Sequence, residues 1–491
     1  MLVCLLAGLF VRLVDLTDLP LDFHPTRQLH SALIARGMFY QNAPGVPQWQ
    51  RDLALQQWKM EGIIEPPVME FLAAEAYRAA GAPLLWLPRL FSILFWLAGA
   101  AAVAAAARRL TGDVGGIAAL LFYLAAPYGV IASRSFQPDP LMTALCAAYW
   151  WALLRWHKTD MKTAVLLGAL GGLAVFIKST ALFFVIPPFI AHLFVCCGWR
   201  NVLRSRPVWV AAVLLVLPYA VYTVYGLWIG GFLQDQFSQR FFPEMWISAG
   251  FYLRWAARAF SVVPLGWAAA GFLGVWLVKP AANRAVLWAV YGGYIIYGFV
   301  LPHHAGTHDY YHLPLIPLTA LGLSPLAAFL WDGIGAADKP RQWGRWAAVV
   351  VIGLGVFYTM YQSRNDLRRV DFRPEAIFWN EMGQKLGQDQ TVTALTPDYG
   401  ARLAYWGWVN ANHWPSVDDL QFRGETDIEL VVQSTFEQMA AGRSRFLVTD
   451  FEEYNRQPAL KGMLESYFVL DRSEKYVIYD LSRPAEGGTG K

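Results

Sequence analysis

Apolar residues fall along this chain in long blocks separated by short polar breaks. The blocks cover residues 1–14, 90–107, 115–132, 138–154, 163–177, 181–197, 208–229, 255–278, 286–301, 313–331 and 346–360. A helix that crosses a bilayer needs about 20 predominantly apolar residues. The pattern therefore predicts a polytopic α-helical membrane protein with about 11 transmembrane helices. The first block is short for a span and borrows from Asp15–Leu19. Beyond Met360 the pattern changes. Residues 362–491 are rich in Asp, Glu and Arg and contain no spanning block. There 391–396, 445–449 and 475–479 read as strands, with 427–441 and 458–466 as helices between them. Alternation of this kind predicts a small α/β domain. The expected division is a transmembrane domain over 1–361, whose outer loop 17–88 carries surface helices, and a C-terminal α/β soluble domain over 362–491.

Within the outer loop, Pro25 suits the first position of a helix, where its missing N–H costs nothing. Residues Thr26 to Tyr40 are predicted to form that helix. Residues 41–50 read as a loop with Pro44, Gly45 and Pro47. Val68 to Ala80 is helical in pattern but too short and too charged to span, so it is expected at the interface with its apolar side down. The stretch from Leu19 to His30 holds Asp22, His24, Arg27 and His30. A helix starting at Pro25 would point free N–H groups back toward Asp22, a natural place for an anion such as phosphate. The plainer alternative is a polar loop between an anchor and a surface helix.

Composition agrees with the blocks. The chain is 56% hydrophobic and 15% charged, against roughly a quarter charged in soluble domains. A formal charge of +4 gives no argument for nucleic acid. Cys4, Cys146, Cys196 and Cys197 all lie in apolar runs, in neither a disulfide framework nor a zinc spacing. Met1 to Val14 lacks the basic start and small-residue cleavage site of a cleavable signal. Basic residues concentrate in alternate loops: Arg108/Arg109, Arg155/Lys158/Lys162, Arg200/Arg204/Arg206, Lys279/Arg284 and Lys339/Arg341/Arg345. The opposite loops hold chiefly Arg134, Lys178 and Arg240. The bias of Lys and Arg toward the cytoplasm then puts the N-terminus inside, and the Asp22 loop and the C-terminal domain outside.

Ionisable groups gather at the outer ends of the blocks. Arg89 opens the second block. Arg134 and Asp139 flank the turn Ser133–Asp139. Lys178 closes the fifth block, and Glu65 precedes Pro66–Pro67. His303, His304, His308, Asp309, Tyr310, Tyr311 and His312 fill one further turn. Such groups at membrane depth are costly and point to function; for Arg89 or Lys178 alone, snorkelling to the interface is the alternative. The His304, His308 and His312 spacing would suit a metal on a helix. Gly306, Pro302 and Pro314 argue instead for a turn, where that spacing means little. Cations that clamp a phosphate, a carboxylate that accepts a proton and a membrane for a lipid tail together fit one reaction. It is transfer of a group from a lipid phosphate to an acceptor hydroxyl outside the membrane.

At these residues the chain resembles the GT-C class of polyprenyl-phosphate-sugar-dependent glycosyltransferases. It is most similar to bacterial protein O-mannosyltransferases and the lipid A aminoarabinose transferase. The likeness rests on the acid after the first span, the Pro66–Pro67 surface helix, Arg89-Leu-Phe-Ser92, Pro138-Asp139, the Gly-rich span ending in Lys178-Ser179, and His308-Asp-Tyr-Tyr-His-Leu-Pro-Leu-Ile-Pro317. Relatives often show Asp-Glu in the first outer loop; here Asp22 is followed by Phe23 and His24. Relatives often carry Lys or His where this chain has Glu65. The resemblance implies a GT-C-like fold in a bacterial-type inner (plasma) membrane and a polyprenyl monophosphate sugar donor. The acceptor would be a lipid, glycan or protein, and transfer would invert the anomeric centre. It implies Asp22 as general base and Arg89, Lys178, His308 and Tyr310 at the donor phosphate. His24, Arg27, Glu65, Arg134, Asp139, Asp309 and Tyr311 are further site candidates. No cofactor is required on this reading, and a divalent metal is the less favoured alternative. Two rivals are a lipid-linked sugar transporter or flippase, and a membrane scaffold. A third is a ligase that uses a lipid diphosphate donor.

Overall fold

The structure is a computed structural model. It describes the chain except residues 64, 157–159, 197, 199–201, 203, 235–241, 335–338, 388–389, 423–427 and 486–491. Lys158, Cys197, Arg200 and Arg240, which entered the reading of the loops, lie outside the described residues. The contacts divide the chain into two compact units. The first comprises Met1–Thr17, Gly62–Met69 and Trp86–Val370; the second comprises Asp18–Glu61, Glu70–Leu85 and Asp371–Lys491. The outer loop 17–88 is thus shared out, with most of it packed beside the C-terminal residues.

In the first unit every apolar block becomes helix, but a block is not always one straight span. Among the described residues, five helical stretches are long and apolar enough to cross a membrane: Trp86–Ala125, Ser179–Cys196, Arg206–Ile229, Asp309–Gly333 and Trp343–Asp366. Ala249–Val262 and Leu265–Leu277 form a sixth candidate bent by 84°. Leu2–Leu13 and Met161–Ile177 are shorter apolar helices. Two local breaks divide these helices. Blocks 90–107 and 115–132 both lie within Trp86–Ala125, as two helices parted by a kink at Gly112 with φ 78° and ψ −169°. Only glycine enters that region readily. Block 255–278 breaks at Val263-Pro264, where proline has no N–H to carry the helical ladder forward. Burial separates core helices from peripheral ones. The apolar window of Asp309–Gly333 is 72% buried inside the protein, that of Trp343–Asp366 only 6%. The latter leaves Trp346, Val351, Leu354 and Phe357 for lipid. The chain is a multi-pass membrane protein.

The second unit is built on a five-stranded sheet: β1 Val392–Leu395, β2 Ala411–His413, β3 Arg445–Val448, β4 Tyr467–Arg472 and β5 Val477–Pro484. Its order is β2-β1-β3-β5-β4. β1 is parallel to β2 and β3, and β5 is antiparallel to β3 and β4. Successive side chains of a strand face opposite ways, and both faces are covered. Phe446, Val448, Val477 and Tyr479 pack with Trp414, Phe436 and Leu460. Leu447, Ile478 and Ala394 pack with Trp379, Met382 and Leu386. The strands expected at 391–396, 445–449 and 475–479 are all in this sheet. β2, β4 and the helix Arg373–Leu386 are additions to the sequence reading.

Three outer-loop helices belong to this unit in whole or large part: Pro25–Asn42, Gln48–Met60 and Val68–Ala80. The first and third match expectation, whereas Gln48–Met60 starts inside the expected loop 41–50. Val68–Ala80 does not keep its apolar side for the membrane surface: Ala73, Ala74 and Tyr77 are buried in the protein. Glu70 also faces inward and accepts from Ser31 Oγ at 2.6 Å. Arg36 joins Pro25–Asn42 to the C-terminal residues. Its guanidinium donates to the Tyr405 carbonyl, to Ala404 O at 3.0 Å and to Gln57 Oε1 at 2.5 Å. It lies 4.0 Å from the Trp408 ring centroid and 4.4 Å from that of Tyr405. Burial lowers its pKa to about 10, against the opposing pull of Tyr405 and Tyr40, so the charge persists at neutral pH. Arg36→Ala would take the guanidinium from the Tyr405 carbonyl and Gln57 Oε1, while Ala404 O keeps its bond from Gln57 Nε2 at 3.0 Å, and is expected to cost about 3 kcal/mol. Faster limited proteolysis of the second unit would register it; an unchanged digestion rate would show that the latch is idle.

Candidate functional site

Lys178 ends the helix Met161–Ile177 in extended conformation, with φ −156° and ψ 120°, just before a short 3₁₀ turn at Ser179–Ala181. Its Nζ lies 2.9 Å from each carboxylate oxygen of Asp139. Asp139 opens the helix Asp139–Arg155 after Pro138, where helix polarity favours an anion. Both residues are buried, Lys178 at 2% and Asp139 at 1% exposure. A snorkelling lysine keeps its head in water, so this one is no interfacial anchor. Glu65 Oε1 approaches the same ammonium at 3.7 Å. The rings of Tyr311 and Tyr310 cover it at 4.5 and 5.0 Å. A desolvated ammonium beside aromatic faces gains further stabilisation.

The turn that supplies those rings is itself braced. Asp309 accepts from Tyr128 Oη at 2.8 Å. His308 stacks on Tyr310 with centroids 5.3 Å apart. His312 is bonded to Tyr294 Oη at 2.9 Å and Ala305 O at 3.0 Å. Pro302–Thr307 is helical and Asp309–His312 is a 3₁₀ turn, with His308 extended between them (φ −124°, ψ 128°). The four-residue histidine spacing therefore does not lie along one helix face. Burial, and Arg254 second, lower the pKa of His303 and favour its neutral form. Among the described residues, no group of three or more His, Cys, Asp or Glu is placed to hold a metal.

Arg89 and Arg134 serve the backbone. Both are buried. Arg89 donates from Nε to Arg134 O at 3.1 Å and from Nη1 to Leu16 O at 3.3 Å. Arg134 donates to Val14 O at 2.5 Å and Asp15 O at 2.8 Å. These carbonyls follow the helix Leu2–Leu13, where the helical ladder has ended and acceptors need partners. The two arginines thus cap the end of the first span, and the snorkelling alternative for Arg89 is set aside along with that for Lys178. Arg12, which the sequence reading passed over, docks the same helix: its Nε donates to Ser133 Oγ at 2.7 Å.

Asp22 belongs to the second unit and the Lys178 group to the first. Asp22 is half-buried on a segment fixed by Gln28, whose Nε2 donates to Phe23 O at 2.6 Å and Pro20 O at 3.2 Å. His24 caps Pro25–Asn42 with φ 43° and ψ 66°. A non-glycine residue in the left-handed region carries strain of the kind that collects at functional sites. Arg27 is half-buried on the first turn of that helix, and His30 Nδ1 pairs with Glu61 at 2.7 Å. Asp18 accepts from the backbone N of Leu19 at 2.8 Å and of Phe372 at 3.1 Å. It ties the start of this segment to the C-terminal residues. The sequence reading missed Asp18, Gln28 and Tyr128. Only Asp18, an acid just before the Leu19-Pro20 turn, left a local signal.

Residues 64–225 match the family model for dolichyl-phosphate-mannose-protein mannosyltransferase. That segment carries Glu65, Arg89, Arg134, Asp139 and Lys178. No curated protein matches the chain by sequence. Among solved structures, ArnT from Cupriavidus metallidurans bound to undecaprenyl phosphate superposes with a TM-score of 0.58 at 16% identity, over 97% of this chain and 96% of that one. The apo oligosaccharyltransferase of Archaeoglobus fulgidus follows at 0.53 and 13% identity, over 95% and 72%. Arabinofuranosyltransferase AftD from Mycobacteria gives 0.51 at 15% identity, over 98% of this chain and 39% of that one. The fold is the GT-C fold, and the resemblance read from the sequence is borne out.

Proposed function

We propose that this chain is an integral-membrane glycosyltransferase. It moves a sugar from a polyprenyl monophosphate to an acceptor hydroxyl on the outer side of the membrane. The observation that carries the reading is the buried Lys178–Asp139 pair under Tyr310 and Tyr311, with Glu65 Oε1 3.7 Å from the same ammonium. Asp139 fixes the ammonium by two short contacts. Glu65 is the exchangeable third party, and a donor phosphate takes its place. The family match over the segment bearing these residues, and the undecaprenyl phosphate bound to ArnT, support a lipid phosphate as the anion.

In the proposed reaction Asp22 accepts the proton of the acceptor hydroxyl. The hydroxyl oxygen bonds to the anomeric carbon as the bond from that carbon to the phosphate oxygen breaks. The electron pair leaves with the lipid phosphate. Lys178 stabilises the charge that grows on that oxygen. A single displacement of this kind inverts the anomeric centre. His308 helps at the donor through its stack on Tyr310. His24 and Arg27 shape the Asp22 segment, and Arg89 and Arg134 fix the end of the first span.

Purified protein in detergent, given a polyprenyl monophosphate sugar and an acceptor, is expected to release the lipid phosphate with formation of a glycoside. Lipid movement across a liposome without release would identify a flippase instead, and strict need for a diphosphate donor would identify the ligase class. The proposed reaction uses no cofactor, so activity is expected to survive a chelator; loss restored by one divalent ion would overturn that. The proposed orientation is N-inside and C-outside, in a plasma membrane of bacterial type. A reporter active only outside the cytoplasm should work after Lys491 and stay silent in the loop around Arg204. The reverse pattern would put Asp22 in the cytoplasm and end its proposed role.

A further inference from the structure

The carboxyl ends of the parallel strands in the second unit carry a polar cluster that the transfer reaction does not use. β1 leads into Thr396-Pro-Asp398-Tyr399-Gly400, β2 ends at His413, and β3 leads into Thr449-Asp450. β1 lies between β2 and β3, and the chain leaving β1 goes to one side while the chain leaving β3 goes to the other. In open α/β sheets, ligands bind in the crevice outside the strand ends where the connections diverge in this way.

The backbone at this point is unusual. Asp398 (φ 54°, ψ 37°), Tyr399 (φ 55°, ψ 31°) and Gly400 (φ 77°, ψ 1°) are left-handed in succession. Residues other than glycine visit that region singly, each at a cost of roughly 1–2 kcal/mol. The turn is held by the Asp398 carboxylate, which accepts from Arg402 Nε at 2.6 Å and Thr26 Oγ1 at 3.1 Å. Its result is a tyrosine ring 58% exposed. Tyr399 meets His413 edge-on at 4.9 Å and donates its hydroxyl to Asp419 at 3.2 Å.

At the same strand ends lie buried polar atoms without partners. Thr396 Oγ1, Thr449 Oγ1 and His413 Nδ1 are buried and make no hydrogen bond; Thr396 as a residue is only 3% exposed. Buried polar groups are normally paired. Ala394 is in register with both His413 and Leu447, and Thr396 and Thr449 lie two residues beyond Ala394 and Leu447. The period of two therefore puts all three orphan groups on one face of the sheet. A Cβ on Gly400 would stand 3.7 Å from Thr396 Oγ1, so that hydroxyl faces the left-handed turn.

Charge narrows the ligand. Asp398, Asp419 and Asp450 surround the cluster. Asp419 and Asp450 both favour the charged form of His413, although burial outweighs them and lowers its pKa. Asp419 also accepts from Ser416, and Asp450 from the backbone N of Glu453. Three carboxylates repel phosphate. They suit a ligand rich in hydroxyl donors, with an apolar face for the tyrosine. A sugar ring has both.

We propose that the carboxyl edge of β2-β1-β3 binds a neutral or amino sugar ring of a glycan acceptor. The acceptor's identity as a glycan rests on the proposed transfer reaction; the binding of a sugar ring does not. The test is saturation-transfer NMR on the full-length protein in detergent, with glucosamine, glucose and, as the anionic control, glucose 6-phosphate. Transfer to the first two is expected, with transfer to the third weaker by at least a factor of about five, as charge repulsion requires. Tyr399→Gly relieves the backbone and removes the ring. It should raise the Tm while cutting sugar transfer on the order of tenfold. The double variant Lys178→Ala with Asp139→Asn, which disables the donor site without stranding a buried carboxylate, should leave the signal in place. Silence with both neutral and amino sugar, equal binding of the phosphate, or a signal indifferent to Tyr399→Gly would each overturn the proposal. An active transferase with a silent sheet edge would refute the site alone. A Tyr399-dependent signal without turnover would refute the transfer reading and leave the site standing.

Discussion

Asp22→Asn is expected to lower turnover on the order of 100-fold or more while donor affinity survives. The amide keeps the size and hydrogen-bonding shape of the carboxylate and loses its ability to take a proton. The surrounding backbone should not move. Gln28 fixes the segment through the carbonyls of Pro20 and Phe23, and His24 and Pro25 start the next helix regardless of residue 22. Single-turnover rates at saturating donor isolate the chemical step from binding. A rate near that of the wild type would remove Asp22 from the role of base and send the search to the neighbouring acids of the same unit, Glu61 and Glu70.

Lys178 and Glu65 are expected to answer in opposite directions. Removing the ammonium takes away a cation that faces growing charge on the leaving phosphate, a loss of about 3 kcal/mol by analogy with a single oxyanion donor. The loss should fall on the rate more than on donor KM. Lys178→Ala alone would also leave Asp139 buried and unpaired, which typically costs about 3–5 kcal/mol of stability. The cleaner comparison pairs Lys178→Ala with Asp139→Asn, a double variant expected to fold and remain slow. Glu65→Gln removes an anion that competes for the same ammonium. It should lower donor KM by a factor of about three, the order of one weakened ion pair. A double variant with full activity, or a Glu65→Gln protein that binds donor less well, would show that no phosphate exchanges with Glu65.

The fold was legible where physics is local. A bilayer demands long apolar blocks, and each block is a helix; Val68–Ala80 ends where its pattern ends. The kink at Gly112 falls in the gap already read between residues 107 and 115, whereas the break at Val263-Pro264 was harder to see, because one proline inside an apolar run does not declare whether the helix bends or continues. β2 has three residues and β4 is a largely exposed edge strand, so neither shows a strong alternation. The site was half legible. Lys178 and Asp139 were both placed at outer span ends, but their pairing across 39 positions belongs to tertiary packing. Arg89 and Arg134 carried the same sequence signal as Lys178. What distinguishes them is their acceptors, the backbone carbonyls of residues 14–16, and a carbonyl has no side-chain signature.

The way the second unit is assembled from separated segments sets an order of events during synthesis. The helix Pro25–Asn42 is made early, yet the Tyr405 carbonyl that receives Arg36 comes 369 residues later. At about 5–20 residues per second that is a wait of roughly 20–70 s. Meanwhile the spans of the first unit are being inserted, and Arg36, Tyr40 and Trp49 have neither Tyr405 nor Trp408 to meet. The second unit therefore closes last, when the final quarter of the chain has been made. A chain released before Asp371 would hold every apolar block and none of the sheet. The earliest helices of the second unit would stay uncovered, a mark by which quality control could tell an unfinished molecule from a finished one.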